Sequence, residues 1–418
     1  MPLGPIEKTR LGLGSFPEQV LNIPLILNIA PAIWAADLTV NVPVMDARLY
    51  ESLRVLKTVF TGMYPGLAWS GELSAQALVQ SEGANSAGST AILFSGGLDS
   101  VFSTIKHLQE APALLTIRGS DIPLNDHVGW TAVQRQTREF AGRYQLESFF
   151  IESNFFTFLN TRFLNRLSRD IPGWFPGVQY GMGYAALFAP FVAAGKITTL
   201  YIAASFDQSF SKPWGSLPQI DNEIAYLNAR FIHDGYEISR HGKIQFVVDK
   251  VNKSELSVPW LRVCYSKISL HRNQDEFNAG ENCCICEKCT RTMSALLAEG
   301  ADLRSYGFSI STSEFIANTY PAFSRYKFRF GDSQVFMWKD IQKSIRPAAK
   351  YQDMGLTLEK REYIEWLRNY DFDAYAERYE KKSQQRIGKR KYVVEMIKRI
   401  PGLYGSLRAL KKIMSGSR

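Results

Sequence analysis

The stretch Ala91-Ile-Leu-Phe-Ser-Gly-Gly-Leu-Asp-Ser-Val-Phe-Ser103 indicates what kind of core this chain builds. Its first four residues are apolar and predict a buried strand, and a helical pattern begins at Asp99. Between them, two glycines let the backbone turn with its N–H groups directed inward, and the helix adds the partial positive charge of its N-terminus. Because serine hydroxyls also donate to phosphate oxygens, the stretch predicts a phosphate-binding loop in which Asp99 contacts Mg²⁺.

The string Ser95-Gly-Gly-Leu-Asp-Ser100 is a more specific signal than Gly-Gly alone. Two glycines by themselves indicate only a tight connection between a strand and a helix. Neither G-x-x-x-x-G-K-[ST] nor a G-x-G-x-x-G after a strand occurs in the chain. The string resembles the PP-loop of the N-type ATP pyrophosphatases, which split ATP between its α and β phosphates and transfer AMP to a substrate. The resemblance implies ATP as a substrate with Mg²⁺, catalytic roles for Ser95, Asp99 and Ser100, and an ATP-binding loop made of Ser95, Gly96, Gly97, Leu98, Asp99 and Ser100.

The composition is that of a globular protein with an uneven charge distribution. The 418 residues are 45% hydrophobic and 21% charged, enough for two or three domains. The net charge is +9, but residues 381–418 carry twelve basic side chains and one acidic one, which leaves −2 for everything before them. This basic tail predicts an anionic partner, either nucleic acid or a membrane surface, although basic termini are also often merely solvated.

The N-terminal region shows no convincing signal peptide. Residues 20–36 are the nearest candidate for a membrane span, but they contain two prolines and two asparagines, so we expect them in a protein core. Four of the five cysteines lie between Cys283 and Cys289, which suits a metal site in a reducing compartment better than a disulfide scaffold. We therefore expect a cytoplasmic protein.

Changes in pattern divide the chain into five parts. Residues 1–80 predict an accessory α/β unit, with strands at 38–44 and 66–73 around a helix that starts at Asp46 and runs to Phe60. Residues 81–90 are small and polar, as in a linker. The core follows at 91–305, a mostly helical extension at 306–380, and the basic tail at 381–418.

The core alternates strands with helices, which predicts an α/β fold with a parallel sheet and helices on both faces. Ligands of such sheets bind beyond the carboxyl ends of the strands. The polar residues there are 95–100, 118–121 and 152–154, and among them Arg118 and Asn154 are expected to bind ATP. The predicted strands are 91–94, 113–117, 146–151 and 199–203, and the predicted helices are 99–109, 131–144 and 181–194.

A long aromatic and polar loop, 205–222, follows the strand at 199–203. Such loops either contact a substrate or simply pack on the surface, and both interpretations stay open here. On the first, Trp214, Ser216 and Asp221 are candidate substrate contacts. Arg240 and Lys243 are further candidates, because they are close enough in sequence to reach one phosphate, or they are solvated.

The cysteines Cys283, Cys286 and Cys289 follow a C-x-x-C-x-x-C pattern that can converge on one tetrahedral ion. Cys264 is the expected fourth ligand and His271 the reserve, with Cys284 left over. Three thiolates with a fourth sulfur favour structural zinc. An iron–sulfur cluster and a redox thiol set are the alternatives.

The PP-loop string together with Asn282-Cys-x-x-Cys-x-Lys-Cys-x-Arg-Thr292 resembles the 7-cyano-7-deazaguanine synthase-like branch of the PP-loop superfamily, over roughly residues 90–300. The resemblance implies an adenine nucleotide α-hydrolase-like core with a zinc knot ligated by Cys264, Cys283, Cys286 and Cys289. Members of the branch use ATP to activate a carboxylate and then install nitrogen from ammonia. Relatives occur in bacterial antiviral defence clusters, where a protein or a nucleic acid is the target.

The chain departs from that branch in its extra segments before 80 and after 305, in the long interval between Cys264 and Cys283, and in Cys284, where glycine is usual. We therefore expect an AMP- and pyrophosphate-forming ligase that adenylates a carboxylate or amide oxygen of an unspecified small or polymer-borne substrate and replaces it with a nitrogen nucleophile. The alternatives are a nucleotide- or nucleic-acid-binding protein of a defence system and a tRNA-modifying PP-loop enzyme. A protein partner and the oligomeric state stay open.

The C-terminal third interleaves aromatic and basic residues over 320–330. This composition is found in proteins that stack on nucleic acid, but the period-two alternation over 326–330 favours aromatic side chains that face a core. Further helices are expected at 363–379 and over 392–414, where Pro401-Gly402 separates two short ones. The interleaved residues are Tyr320, Phe323, Arg325, Tyr326, Lys327, Phe328, Arg329 and Phe330.

Overall fold

The computed structural model describes residues 16–80, 89–264 and 281–398, with side chains as far as 385. The chain divides after Thr312 into two compact units. The first contains every candidate site residue named above. His271 and residues 399–418 of the basic tail lie outside the described residues.

The first unit opens with two helices and a small parallel sheet. Asp46 ends the first strand and caps the following helix, because its carboxylate accepts a hydrogen bond from the Leu49 amide at 2.9 Å. The two strands pair from Thr39 opposite Glu72 to Asp46 opposite Val79. The elements are α1 (Glu18–Leu21), α2 (Ile23–Ala35), β1 (Thr39–Asp46), α3 (Ala47–Met63) and β2 (Glu72–Val79).

The predicted strand at 66–73 is wrong: the second strand begins only at Glu72. Residues before it form a turn in which the Leu67 amide donates to the Tyr64 carbonyl. Gly71 then passes so close to α2 that a Cβ there would lie 2.0 Å from the Ile33 carbonyl oxygen. Only beyond this close approach is the backbone free to pair with β1.

The apolar stretch 20–36 lies in the protein core, as expected. Ile23, Leu27 and Ala30 of α2 are completely buried among the side chains of the first unit. Among the helices that the structure describes, none combines the length and the apolar character that a membrane crossing requires.

Residues 16–80 belong to the same compact unit as the sheet that follows. The Tyr64 hydroxyl donates to the Gly177 carbonyl at 2.7 Å, and Arg48 donates to the Leu227 carbonyl at 2.6 Å. The parts of the chain before and after the expected linker at 81–90 therefore share one hydrophobic core. Residues 81–88 of that linker lie outside the described residues.

The main sheet has five parallel strands in the order β5-β4-β3-β6-β7. The expected α/β fold with a parallel sheet is confirmed. The first strand along the chain, β3, is central; the next two extend the sheet on one side and the last two on the other. The strands are β3 (Thr90–Leu93), β4 (Ala113–Arg118), β5 (Ser148–Glu152), β6 (Thr199–Ala203) and β7 (Arg230–Asp234).

Eight α-helices connect or follow these strands in the described part of the first unit. The helix expected at 181–194 is split in two and preceded by a π-helical turn at Phe175–Gln179, and a 3-10 turn at Leu108–Glu110 ends the helix after β3. The helices are α4 (Leu98–Lys106), α5 (His127–Arg143), α6 (Thr161–Leu164), α7 (Tyr180–Ala186), α8 (Ala189–Ala193), α9 (Pro218–Asp221), α10 (Arg240–Asn252) and α11 (Glu287–Ala298).

The second unit is helical. Its residues 370 and 371 interrupt the single helix expected at 363–379, and the last helix continues to Lys398, into the region where short helices were predicted. The helices are α12 (Thr312–Ser324), α13 (Asp332–Ser344), α14 (Ala348–Asp353), α15 (Leu358–Asn369) and α16 (Phe372–Lys398).

The aromatic residues of 320–330 build the core of this second unit. Phe323 packs edge-on against Phe328, Trp338 and Tyr375, with ring centroids 5.1, 5.3 and 5.3 Å away. Phe328 and Phe330 are buried, whereas the basic residues Lys327 and Arg329 that alternate with them are exposed. The expected core alternation is confirmed, but without a strand, because the Tyr375 hydroxyl satisfies both the amide and the carbonyl of Phe328.

Candidate functional site

The loop that follows β3 is fixed by its own side chains. Gly96 has a φ of +74°, which favours glycine, and Gly97 is the N-cap of α4. The Ser100 hydroxyl donates to the Gly97 carbonyl at 3.0 Å and accepts from the Ser95 amide at 3.2 Å. These bonds hold the loop as a compact turn at the start of a helix, the arrangement that binds phosphate groups.

This loop lies where the strand order of the main sheet reverses, since β4 and β6 flank β3 on opposite sides. In open parallel sheets the crevice for ligands forms at such a point, beyond the carboxyl ends of the strands. A cleft is present here, and its walls come from the ends of β3, β4 and β6 with the segments after them, from α7, and from three later parts of the chain. Its polar lining residues are Ser95, Asp99, Ser100, Thr116, Ser120, Asp121, Tyr180, Tyr184, Ser205, Arg240, Arg262 and Lys288.

Asp99 is held between two cations on one side of the cleft. Its Oδ2 lies 2.5 Å from Arg240 Nη1 and its Oδ1 lies 3.6 Å from Lys243 Nζ. Burial of Asp99 acts to raise its pKa, but the positive charges of Arg240, Lys243 and Lys288 outweigh it and lower the pKa below the usual value. The carboxylate is therefore ionised and already balanced by positive charge.

Arg240 and Lys243, two of the candidate substrate residues, thus belong with the phosphate-binding loop. The side chain of Arg240 lines the cleft, and its Nη2 atom is buried and has no hydrogen-bond partner among the described residues. Lys243 is almost completely buried, and its Nζ donates to the Ala204 carbonyl at 2.5 Å. Burial lowers the pKa of Lys243, while the carboxylate of Asp99 opposes that change. The cleft therefore retains donor capacity for an anionic ligand.

Arg262 is a cleft residue that the sequence did not reveal. Its backbone amide donates to the Gly96 carbonyl at 2.8 Å, and its guanidinium donates to the Ser95 carbonyl at 2.5 Å. These two bonds occupy the carbonyls of Ser95 and Gly96, while the amides of Ser95 and Gly97 donate to the hydroxyls of Ser100 and Ser95. Arg262 was not predicted from the sequence because it lies in an irregular segment, far from the loop in sequence and with no periodic pattern around it.

Arg118 and Asn154, expected to bind ATP, are not among the described residues that line the cleft. The Arg118 guanidinium donates to Glu152 at 3.0 Å and to the Leu124 carbonyl at 2.6 Å. The Asn154 carbonyl accepts the amide of Thr157 at 2.8 Å. Both residues thus bind to the segments that follow β4 and β5.

Ser216 and Asp221 form a buried polar cluster behind the cleft. Asp221 accepts the Ser216 hydroxyl at 2.6 Å and lies 2.7 Å from His233 Nδ1. Trp214, the third candidate of that loop, packs against Tyr180 with ring centroids 6.1 Å apart. Because Tyr180 lines the cleft, Trp214 supports a cleft wall. Trp214, Ser216 and Asp221 do not line the cleft themselves, whereas Ser205 at the start of the same loop does.

The four expected metal ligands converge. The sulfur atoms of Cys264, Cys283, Cys286 and Cys289 all lie within 4.8 Å of one another. The Cys264–Cys286 and Cys283–Cys289 sulfur pairs are 4.0 and 3.9 Å apart. Four sulfurs at the usual Zn–S bond length of about 2.3 Å in a tetrahedron are about 3.8 Å apart, so the cluster fits a single ion such as zinc.

The surroundings of this cluster favour thiolate ligands around a cation. The amide of Cys283 donates to the sulfur of Cys264 at 3.4 Å, and the amide of Cys286 donates to the sulfur of Cys283 at 3.3 Å. Burial, followed by the neighbouring sulfurs, raises the pKa of the Cys289 thiol, so its deprotonation needs a compensating positive charge. An iron–sulfur cluster would separate the cysteine sulfurs more widely, because several irons and sulfides lie between them.

Cys284 lies beside the four-sulfur cluster but is not part of it. Its φ is +58°, a left-handed conformation that glycine adopts more easily, and its thiol lies 3.4 Å from the Asn282 carbonyl. The turn between Cys283 and Cys286 therefore places residue 284 in a left-handed conformation, although that residue is not glycine.

Asn282 joins the two segments that carry the metal ligands, and the sequence reasoning gave it no such role. Its side-chain amide donates to the carbonyls of Leu261 and Gly307 at 2.7 and 2.8 Å, and its Oδ1 accepts the amide of Val263 at 2.9 Å. The segment that carries Arg262 and Cys264 is thereby fastened to the start of the cysteine motif.

Comparisons of this chain with protein-family models, with curated proteins and with solved structures find no match. The functional argument consequently rests on the geometry of the cleft and of the cysteine cluster.

Proposed function

We propose that this chain is an AMP-forming ATP pyrophosphatase of the PP-loop type. The observation that carries the proposal is a Ser-Gly-Gly-Leu-Asp-Ser loop at the reversal point of a parallel sheet, in a cleft that is also lined by Arg240, Arg262 and Lys288. Helix N-termini with inward amides bind phosphate, and the added cations suit a polyphosphate with several negative charges.

The residues of the chain have separate tasks in this proposal. The loop amides and the Ser95 and Ser100 hydroxyls bind the β and γ phosphates of ATP. Arg240, held by Asp99, faces the charge that develops on the leaving pyrophosphate. Catalysis then consists mainly of positioning the reactants and neutralising charge.

The reaction has two steps. A carboxylate or amide oxygen of the substrate attacks the α-phosphorus, the bond between the α-phosphorus and the α,β-bridging oxygen breaks, and pyrophosphate leaves with that electron pair. A nitrogen nucleophile then adds to the activated carbon, AMP leaves, and a proton is lost from nitrogen to solvent or to a base. Adenylation turns a poor leaving oxygen into a good one.

Mg²⁺ is the metal that such a polyphosphate normally brings with it. Mg²⁺ is usually held by one or two carboxylates together with the phosphates themselves. Asp99 and the exposed Asp121 supply two carboxylates in the cleft. Because Asp99 is already paired with Arg240, we assign Asp121 as the residue better suited to an incoming Mg²⁺.

We assign the four-cysteine cluster to structural zinc. Its sulfurs are mutually close, mostly buried and in a closed arrangement, as in structural rather than catalytic zinc sites. The resemblance to the deazaguanine synthase-like branch supports the same division between an ATP site and a zinc knot, and the substrate is proposed only as a carboxylate or amide.

The products of ATP hydrolysis or transfer distinguish this function from the others. Purified protein with Mg²⁺, a nucleotide-depleted cell extract and either α- or γ-labelled ATP is expected to yield labelled AMP and labelled pyrophosphate. Ser100→Ala is expected to remove most of both products, whereas Thr131→Ala, on the exposed face of α5, keeps them. ADP with orthophosphate as the products would overturn the proposal.

Stable nucleotide binding with no turnover in any extract would favour the competing function, a nucleotide- or nucleic-acid-binding protein. That outcome also overturns the enzymatic proposal.

A further inference from the structure

Two cationic residues of the cleft lie within the metal-binding segments. Arg262 is two positions before the ligand Cys264, and Lys288 lies between the ligands Cys286 and Cys289. Both side chains line the cleft that contains the Ser95–Ser100 loop. One metal ion at the sulfurs would therefore fix the positions of two cations that come from separate parts of the sequence.

The backbone around each cation is independently constrained. The amide and the guanidinium of Arg262 hold the loop carbonyls of Gly96 and Ser95. Lys288 lies at the start of α11, whose N-cap is Cys286. Since Cys286 is both the helix cap and a metal ligand, the position of the first turn of α11 depends on the metal.

The two cations have different contacts in the cleft. The guanidinium of Arg262 donates to the backbone of the loop, so Arg262 shapes the phosphate-binding loop. Lys288 lines the same cleft, and its positive charge helps to lower the pKa of the Asp99 carboxyl. An ammonium group in a cleft built on a phosphate loop is suited to the oxygens of a polyphosphate.

We propose that Lys288 is a polyphosphate-binding residue of this cleft and that the four-cysteine metal cluster holds it there. The inference rests on the proposed function for its ligand class, and it adds a residue and a positioning role for the metal. The cluster then serves the chemistry of the nucleotide site without touching the substrate.

The test is calorimetric titration of the full chain with inorganic pyrophosphate and with ATP in Mg²⁺. Lys288→Met is expected to weaken pyrophosphate binding about tenfold or more, as for loss of one charge-assisted hydrogen bond. Lys288→Arg keeps most of the affinity, and the matched surface control Lys253→Met keeps all of it. The metal content is measured on each protein and is expected to stay at one ion per chain.

The positioning role is tested with ligand exchanges that keep a metal. Cys286→His and Cys289→His move the first turn of α11, and whichever of them retains one ion per chain is expected to lose pyrophosphate affinity about as much as Lys288→Met. Adding Lys288→Met to that variant is expected to cost little more, because both changes remove the same contact.

The outcomes distinguish a failure of the proposed function from a failure of the roles assigned to Lys288 and to the metal cluster. Wild-type protein that binds neither ATP nor pyrophosphate overturns the proposed function. Wild-type protein that binds both, with Lys288→Met binding equally well at full metal content, overturns the assignment of Lys288 and leaves the proposed function standing. A metal-retaining histidine variant with unchanged affinity overturns the positioning role.

Discussion

Asp99 is the residue on which the charge balance of the cleft depends. Arg240 and Lys243 both approach its carboxylate, and their side chains are about 10% and 1% exposed. Removing one partner of a buried ion pair leaves the other charge uncompensated, which costs more than the pair contributes. Asp99 is therefore needed for stability as well as for any chemistry.

Asp99→Asn is expected to lower the free energy of unfolding by about 2–3 kcal/mol at pH 7, somewhat less than for a fully buried pair. The pKa of Asp99 is lowered in the folded chain, so its stabilisation is present above the ordinary aspartate pKa of about 3.9 and is lost as the pH falls through the lowered value. Urea unfolding at pH 7 and pH 3 should thus show a smaller difference between wild type and variant at pH 3. Asp121→Asn is the control, and a difference independent of pH would contradict this account.

His107 gives the opposite pH dependence. Burial acts to lower its pKa, but Asp234 and Glu110, which lie 3.1 and 2.7 Å from its ring nitrogens, raise it above the usual value. The stabilisation is therefore complete below the unfolded pKa of about 6.5 and is lost as the pH rises through the raised value. His107→Gln should flatten the decline in the urea midpoint between pH 6 and pH 9, and an unchanged decline would contradict the assignment.

Cys284 and Cys286 lie two positions apart in the motif but are expected to respond differently to substitution. Cys286→Ser removes a metal ligand, so the variant should lose its metal and several kcal/mol of stability. Cys284→Gly should keep one ion per chain and change the free energy of unfolding by at most about 1 kcal/mol, because the relief of a positive φ offsets the added chain entropy. Elemental analysis with urea unfolding checks both, and metal loss in Cys284→Gly would refute the four-ligand assignment.

At the scale of elements, Asn282 connects the segment before Cys264 to the segment that begins the cysteine motif. Its hydrogen bonds to Leu261 and Val263 are buried, and its hydrogen bond to Gly307 is partly buried. Asn282→Ala is expected to lower the free energy of unfolding by about 2–3 kcal/mol, since backbone groups lose their partners. Pyrophosphate affinity should fall with it, because Arg262 belongs to the fastened segment. Loss of stability with unchanged pyrophosphate affinity would show that the hydrogen bonds of Asn282 do not affect the cleft.

Much of the order of these elements could be predicted from local patterns. Four of the five strands of the main sheet and the helix after the Ser95–Ser100 loop follow from apolar runs and their spacing, and the convergence of four cysteines follows from ligand spacing. The strand β7 was not predicted. The second strand of the small sheet could not, because its start is set by the close approach of Gly71 to α2. Local periodicity does not encode such a tertiary contact.

The same limit explains which site residues were found. Arg240 was proposed because it lies three residues before Lys243, close enough for both to reach one phosphate, and it does line the cleft. Arg118 also follows a strand, but Glu152 and a backbone carbonyl already occupy its guanidinium. Arg262 and Lys288 reach the cleft through the fold around the cysteine cluster, and no strand or helix pattern marks them.

At the scale of the whole molecule, the excess positive charge lies in the basic tail, so we expect binding to nucleic acid to depend on the tail and binding of pyrophosphate to depend on the cleft. Residues 381–418 carry a net charge of +11, while the rest of the chain carries −2. Removal of 384–418 is expected to abolish salt-sensitive retention on a single-stranded RNA or DNA column without changing pyrophosphate affinity. Equal retention of the shortened chain at low salt would show that the anion-binding surface lies elsewhere.

The central claim is that the cleft supports reversible cleavage of ATP between its α and β phosphates. The exchange of labelled pyrophosphate into ATP tests it most directly, with Mg²⁺ and a nucleotide-depleted cell extract as the source of the acid substrate. Label is expected to enter ATP with wild-type protein and with Lys253→Met, and to be nearly absent with Ser100→Ala. Consumption of ATP to ADP and orthophosphate with no entry of label would contradict the account.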